Sequence, residues 1–325
     1  MKLIDLRKCS HHDGPYFFAV EEYFLKKENE TDDLVLTCTL DPCVVIGSHL
    51  VLECEVNQAF MKEQGFPIWR RPSGGGCVFA DRGCIMFSFI TTHQNNQYVF
   101  DHYLNRVIDA FKPLGLTLTF TGRNDLLCEG LKISGSSFYR YKNRVVLHGT
   151  LLYDVNIEHL VKAITPSDAK LISKGIASVR QRVMNIHDRV SLSKDDLVDY
   201  LSSTMCESSY YLSLDERKEI DQLARKYGMN EWIYDKNPLY TKENKGSFPA
   251  GNMLVAIDIK ANKIANIRLT GDYFSLQPLE PLLEQYRGQL YTKEVIAGIN
   301  SKFPISQYIY KMSDVDWHHL MNRSG

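Results

Sequence analysis

The first 230 residues alternate between two hydrophobic rhythms, and each rhythm assigns its segment. Phe17, Val20, Phe24 and Leu25 fall on one side of an amphipathic helix over residues 17–27. Residues 34–40 and 43–47 are β-rich runs broken by Asp41-Pro42, which reads as a hairpin or tight turn. Residues 53–64 read as helix and stop at Gly65. Strands follow at 66–70, 77–80 and 85–90, then a helix over 98–114. Further strands come at 116–120, 125–127, 131–134 and 145–152, and helices at 194–206 and 214–227. From Pro249 the texture changes. Residues 252–260 and 264–270 read as a hairpin turning at Ala261-Asn262, and 277–286, 292–301 and 313–321 as short helices. The polar stretch 235–246 reads as a linker. Interspersed strands and helices, with no βαβ repeat, predict an α+β fold in two domains, 1–245 and 246–325.

Composition narrows the class. The chain has 325 residues, 44% of them hydrophobic, which is enough for one large core and a small one. A formal net charge of -1 provides no positive field for nucleic acid or an anionic membrane. The eight cysteines form no C-x-x-C pair and are scattered through apolar runs, so they read as reduced thiols. No run approaches the ~18 apolar residues of a membrane helix. A cytoplasmic protein is expected. Cys77 and Cys84 bracket a short strand, but no further ligand completes a zinc spacing, so no structural metal is expected.

Three segments carry candidate chemistry. In Arg70-Arg71-Pro72-Ser73-Gly74-Gly75-Gly76, two arginines end a strand and three glycines open the next. Bare backbone N–H groups and guanidinium charge suit an anion; a flexible turn is the competing reading. No Gly-Lys-Ser/Thr follows, which excludes a Walker loop. In Lys132-Ile133-Ser134-Gly135-Ser136, a lysine enters a strand among small residues, where a fixed cation stabilises charge on a phosphate or carbonyl oxygen. Spacing alone favours a plain exposed strand lysine. In Gly122-Arg123-Asn124-Asp125, the acid at a strand start suits Mg²⁺ or a self-satisfying turn. His148 and Thr150 on the next strand present a donor and a hydroxyl to the same cleft, against the reading of a packed histidine. Lys174, Ser178, Arg180 and Arg182 form a basic segment that is either a phosphate lid or a solvated face.

Taken in order, RRPSGGGCVF at 70–79, GRNDLL at 122–127, KISGSSFY at 132–139, HGTLLYDVN at 148–156 and SKGIASVRQRVMNI at 173–186 resemble the lipoate–protein ligase A family. FPAGNM at 248–253 and GDYFS at 271–275 extend the resemblance over nearly the whole chain. It implies a large mixed-sheet catalytic domain like that of biotin and lipoate ligases, and a small α/β accessory domain. It also implies a two-step reaction: lipoate and Mg·ATP give lipoyl-adenylate, and a carrier lysine then displaces AMP. By the family match, Lys132 contacts the α-phosphate and acyl oxygen. Arg70, Ser73, Gly74, Gly75, Gly76, His148 and Thr150 line the acyl and phosphate cleft. Asn124, Asp125, Val78 and Phe79 serve nucleotide and Mg²⁺. Lys174, Ser178, Val179 and Arg180 belong to the loop over the adenylate, and Glu22 and Cys38 lie near the acyl tail. The implied acceptor is a lipoyl domain, of a 2-oxoacid dehydrogenase E2 subunit or a glycine-cleavage H protein, and the expected state is a monomer.

The chain departs from the family pattern at Ala80-Asp81-Arg82-Gly83-Cys84, which replaces a His and an Asn, and at Ile46-Gly47-Ser48-His49-Leu50-Val51, which lacks the usual Arg and Gln. These changes bear on which acid, lipoate or octanoate, is accepted. Two other readings stand beside the ligase: an ATP-independent octanoyl or lipoyl transferase, kept open by Cys128, and a non-catalytic lipoate or carrier binder.

Overall fold

A computed structural model describes the chain except residues 7–10, 12, 28–30, 49, 94, 122–123, 165–181, 235–239, 272, 274 and 323–325. It divides into two compact units, Met1–Ile233 and Tyr234–Gly325. That division falls twelve residues before the 245/246 boundary expected from the sequence. The polar stretch taken for a linker contributes most of a strand to the second unit, because a Lys- and Asn-rich run still pairs when its neighbour supplies the apolar face.

The first unit opens with β1 (Lys2–Ile4), α1 (Gly14–Lys26), β2 (Leu34–Thr39) and β3 (Cys43–Ile46). Next come α2 (Leu52–Glu55), α3 (Gln58–Gln64), β4 (Ile68–Arg70), β5 (Val78–Ala80), β6 (Cys84–Thr91) and α4 (Asn96–Phe111). They are followed by β7 (Leu118–Phe120), β8 (Asp125–Cys128), β9 (Leu131–Tyr141), β10 (Arg144–Leu152) and α5 (Ile157–Ile164). The Lys194–Met205 helix, β11 (Ser208–Tyr210), the Leu214–Gly228 helix and the short Asn230–Ile233 helix follow. Eight strands form one mixed sheet in the order β11-β1-β2-β6-β10-β9-β8-β7, and β4-β3-β5 form a small second sheet. The α+β class expected from the sequence is the observed one.

Asp41-Pro42 is therefore a corner and not a hairpin: β2 belongs to the large sheet and β3 to the small one. The helix expected over 53–64 breaks at Asn57, whose side chain caps α3 by accepting the Phe60 N–H and whose own N–H goes to the Ala163 carbonyl. β1 and β11, of three residues each, are too short for a period to register, and α5 is an eight-residue helix absent from the elements expected.

Alternation along β10 sorts the sheet's two faces. Val145, Leu147 and Leu151 join the core built with α4 through Val99, Tyr103 and Val107. His148 and Thr150 therefore point to the opposite face. There α1 packs against β6, β9 and β10 and, on its other flank, against the Leu214–Gly228 helix.

That second helix is locked by one carboxylate. Ser213 and Glu216 form a reciprocal capping box. Glu216 also accepts from Lys27 at 2.7 Å and from Tyr210 at 2.6 Å. Burial alone would raise the Glu216 pKa, but the Lys27 and Tyr210 hydrogen bonds prevail and bring it down to about 2.

The second unit is an antiparallel sheet of β12 (Tyr240–Phe248), β13 (Gly251–Lys260) and β14 (Lys263–Gly271). Ala261 and Asn262 turn β13 into β14 at φ 52° and 58°, the two-residue turn expected there. The helices Glu280–Tyr286, Lys293–Lys302 and Asp314–Asn322 cover it around buried Trp317, whose indole donates to Tyr286 at 2.9 Å. Among the described residues no helix is long and apolar enough to cross a membrane.

A carboxylate whose folded pKa lies below its unfolded value of 4.5 contributes stability above that pH and loses it as the pH falls toward about 2. Glu216→Gln should therefore lower the melting temperature at pH 7 and narrow the gap from wild type as the pH falls below 4.5. Equal gaps at pH 7 and pH 3 in thermal melts would refute this.

Candidate functional site

One irregularity in the large sheet builds the site. Asp125 pairs with Gly135 and Leu126 with Ser134, but Leu127 pairs with Lys132, so β9 holds one residue too many at Ile133. This β-bulge resets the alternation. Ile133 joins the α4-side core, and Lys132 and Gly135 come onto the same face. The lysine side chain then lies back over the glycine: a Cβ added at Gly135 would sit 3.1 Å from Lys132 Nζ and 3.2 Å from Cε. At this position Nζ meets Asp125 Oδ1 at 2.8 Å. Asp125 Oδ1 is buried and accepts no aligned hydrogen bond, so the contact is one of charge and the oxygen keeps capacity for another cation.

The backbone on either side of this lysine is clamped. Lys132 N–H donates to the Arg182 carbonyl at 2.8 Å, and its own carbonyl accepts from Met184 N–H at 2.9 Å. Above the sheet face is a cavity of about 490 Å³. Lys132, Asp125, Thr150 and Arg182 give it polar atoms, while Val78, Phe79, Leu160 and Ile164 give it apolar walls. One wall is therefore a strand entering from the glycine segment, and another is α5.

The glycine segment is held by the second arginine and not the first. Arg70 is fully buried; its Nε donates to the Ile233 carbonyl and its Nη1 to those of Gly47 and Leu50. The cleft role expected of Arg70 is thus corrected: alternation turns it into the body of the unit, where it holds the carbonyls of Gly47 and Leu50. Arg71 takes the place beside the glycines. Its guanidinium donates to the carbonyls of Gly74 and Gly76, both at 2.7 Å, to Val45, and to Ser73 Oγ at 3.0 Å. Burial lowers its pKa to about 10.

From Ser73 a buried polar string runs to α1. Ser73 Oγ lies 2.6 Å from His148 Nε2, and His148 Nδ1 lies 2.9 and 3.1 Å from the two Glu21 oxygens. Ser88 donates to the same carboxylate at 2.5 Å and Tyr139 at 3.3 Å. The acid on this face is Glu21. Glu22, expected near the acyl tail, faces the other flank of α1, where Lys26, Lys226 and Tyr227 donate to it. Consecutive helix positions lie about 100° apart, so two neighbouring acids cannot share a face. Cys38 is close enough to Glu21 that burial first, and that carboxylate second, push its thiol up.

The remaining expectations separate cleanly. Asn124 contributes its backbone carbonyl, which accepts Ser136 N–H at 2.7 Å. Thr150, Val78 and Phe79 line the cavity, whereas His148 and Ser73 lie in the adjoining string. Lys174, Ser178, Val179 and Arg180 lie outside the described residues. The departure at 80–84 is structural: Asp81 accepts from Gly83 N–H and Asn156 N–H, and a Cβ at Gly83 would sit 1.9 Å from the Asp154 carbonyl oxygen. That corner aims the chain into α5. Sequence reasoning missed Glu21, Arg71 and α5. Glu21 was within reach, because it lies four residues from both Phe17 and Leu25 on the apolar stripe and so announces a buried acid.

An apolar slot ending in a fixed ammonium and a carboxylate suits a protein that activates a small carboxylic acid at a nucleotide phosphate. The chain belongs to the lipoyl protein ligase A/B catalytic domain family, whose model matches residues 13–205, and the bacterial lipoate protein ligase C-terminus model matches 237–320. It is an enzyme of the ligase class. It is 31% identical to lipoate–protein ligase 1 of Staphylococcus aureus, over 93% of this chain and 94% of that one. It is 28% identical to lipoate-protein ligase LplJ of Bacillus subtilis, over 93% and 95%. Among solved structures, a bipartite lipoate protein ligase of Thermoplasma acidophilum, studied with its E2 lipoyl domain, superposes with a TM-score of 0.65 at 25% identity, covering 71% of this chain and 95% of that one.

Gly135→Ala tests the lysine's seat. The added methyl meets the flexible end of Lys132 and not backbone, so the melting temperature should hold while the ammonium shifts. A displacement of this size should lower kcat for adenylate formation by about 10-fold or more. Unchanged kcat would show that the lysine does not work from this position.

Proposed function

We propose that the chain joins lipoate to a carrier lysine in two half-reactions carried out in this one cavity. The observation that carries the reading is the Lys132 ammonium, held over Gly135 and against Asp125 at the polar end of an apolar slot. In the first half-reaction a lipoate carboxylate oxygen attacks the α-phosphorus of ATP and pyrophosphate leaves. In the second, the ε-amine of the acceptor attacks the acyl carbonyl and AMP leaves. Negative charge builds on non-bridging phosphate oxygens in the first step and on the carbonyl oxygen in the second. A fixed cation beside the shared P–O–C linkage stabilises both.

The purine has apolar walls at Val78, Phe79, Leu160 and Ile164. Asp125 Oδ1, buried and without a hydrogen bond, suits Mg²⁺, which takes few protein carboxylates and completes its shell with phosphate oxygens and water. Mg²⁺ there would neutralise triphosphate charge. Arg182 brings a second cation to the cavity wall. Met1–Ile233 is the catalytic unit and Tyr234–Gly325 the accessory one, the acceptor is a lipoyl domain of an E2 subunit or H protein, and the protein works as a monomer in the cytoplasm.

Lipoate-dependent pyrophosphate release from Mg·ATP tests the first half-reaction, with octanoate and biotin for comparison and no carrier present. Release should be largest with lipoate. Lys132→Ala should reduce it by about 10²–10³-fold with the melting temperature retained. Wild-type release by that variant would remove Lys132 from the mechanism.

A further inference from the structure

The large sheet has a second cavity, on the face away from Lys132. Val35 of β2 joins the α4-side core, so alternation turns Thr37 and Thr39 to that same side. There they line a cavity of about 340 Å³ between the β1 end of the sheet and the Lys194–Met205 helix. This volume falls in the range of roughly 300–1,000 Å³ typical of small-molecule sites. The cavity has no described lining residue in common with the catalytic one.

The helix that walls it has an unusual stripe. Leu197, Leu201 and Met205 turn into the core. Asp195, Val198, Asp199 and Ser202, spaced i, i+3, i+4 and i+7, form the neighbouring stripe, and all four line the cavity. Asp195 and Asp199 are exposed and stand at the rim. Ser202 and, from the end of β1, Asp5 are 5% and 9% exposed and make the floor. Ser202 Oγ is buried and has no hydrogen-bond partner. A helical serine can return its hydroxyl to the carbonyl four residues back; this one does not, and its hydroxyl is left to an occupant of the cavity.

The lining selects the ligand. The carboxylates of Asp5, Asp195 and Asp199 set its sign, and among the described lining residues there is no lysine or arginine. A metal ion does not fit: among the described residues no three Asp, Glu, His or Cys groups are placed to hold one. The positive charge must be spread along a chain instead. Asp195 and Asp199 lie about 6 Å apart along the helix axis, and Ser202 roughly 4.5 Å further in. Ammonium groups separated by three or four methylenes match that spacing, and Leu3, Leu6 and Val198 give the methylenes an apolar wall. His11 stays at the rim, stacked on Tyr16 at 4.2 Å.

We propose that this cavity binds a linear aliphatic polyamine. One ammonium lies between Asp195 and Asp199, and a terminal amine reaches the floor, where it donates to Asp5 and to Ser202 Oγ. The site is apart from Lys132 and Asp125, so the proposal stands independently of the ligase reaction.

The test is calorimetric titration of the full chain with spermidine. Nucleotide is left out, because polyamines also pair with ATP. The expected result is one saturable site and a raised melting temperature, with neither produced by neutral 1,5-pentanediol or by Mg²⁺ at matched ionic strength. The double variant Asp195→Asn, Asp199→Asn, at two exposed positions, should weaken binding by about 10-fold or more with the circular dichroism spectrum retained. Ser202→Ala separates a ligand group from a structural one. Removing a buried hydroxyl that has no partner should raise the melting temperature of the free protein, yet spermidine binding should weaken. No saturation below about 10 mM, or the same affinity in wild type and both variants, overturns the proposal and leaves the cavity to water.

Discussion

One surplus residue in β9 governs the site. Without the bulge at Ile133, strict alternation would put Lys132 and Gly135 on opposite faces of the sheet, since they are three residues apart. The lysine could not then lie over the glycine or reach Asp125. The bulge is affordable because Ile133 is fully buried in the α4-side core, where apolar burial offsets the lost ladder bond. The clamp from Arg182 and Met184 re-pairs the Lys132 backbone, which the irregular ladder would otherwise leave unsatisfied. Sheet irregularity, core packing and the aim of one ammonium are thus a single arrangement.

The same economy operates in α1, which lies between the sheet and the Leu214–Gly228 helix and has acids on both flanks. A buried carboxylate is tolerated only with partners that replace its water. Glu22 has two lysines and a tyrosine; Glu21 has a histidine, a serine and a tyrosine. The first set is cationic and makes a brace between helices, holding the Glu22 pKa low against the opposing effect of burial. The second set is made of groups that can pass or share a proton. Neighbouring residues of identical type are therefore given different chemistry by 100° of helix rotation.

Much of this was legible before any coordinates. The helix at α1, the strands β2, β3, β5, β6 and β10, and the Ala261-Asn262 hairpin follow from periodicity and turn chemistry, which act locally. The glycine segment, Lys132 and Asp125 were legible as unusual residue types in order. What escaped was what depends on register. Whether Arg70 or Arg71 faces the glycines depends on which face of β4, a strand of the small sheet, turns toward the glycine segment, and no local pattern encodes that. Whether Glu21 or Glu22 faces His148 depends on how α1 is rotated, although the apolar stripe through Phe17 and Leu25 contained the answer. The bulge was invisible, because Lys-Ile-Ser-Gly reads as ordinary alternation until its partner strand is known. β12 was passed over because its apolar face is supplied by β13 and the Asp314–Asn322 helix.

The two polar assemblies share one sheet face and differ in how they are wet. Lys132 and Asp125 keep 38% and 28% of their side-chain surface exposed, as suits the groups proposed to meet a hydrated triphosphate. Ser73, His148 and Glu21 are sealed, with exposures of 1%, 5% and 0%. Electrostatic interactions strengthen as water is excluded, so a hydroxyl–imidazole–carboxylate string gains most where it is driest, while a phosphate site gains by staying open.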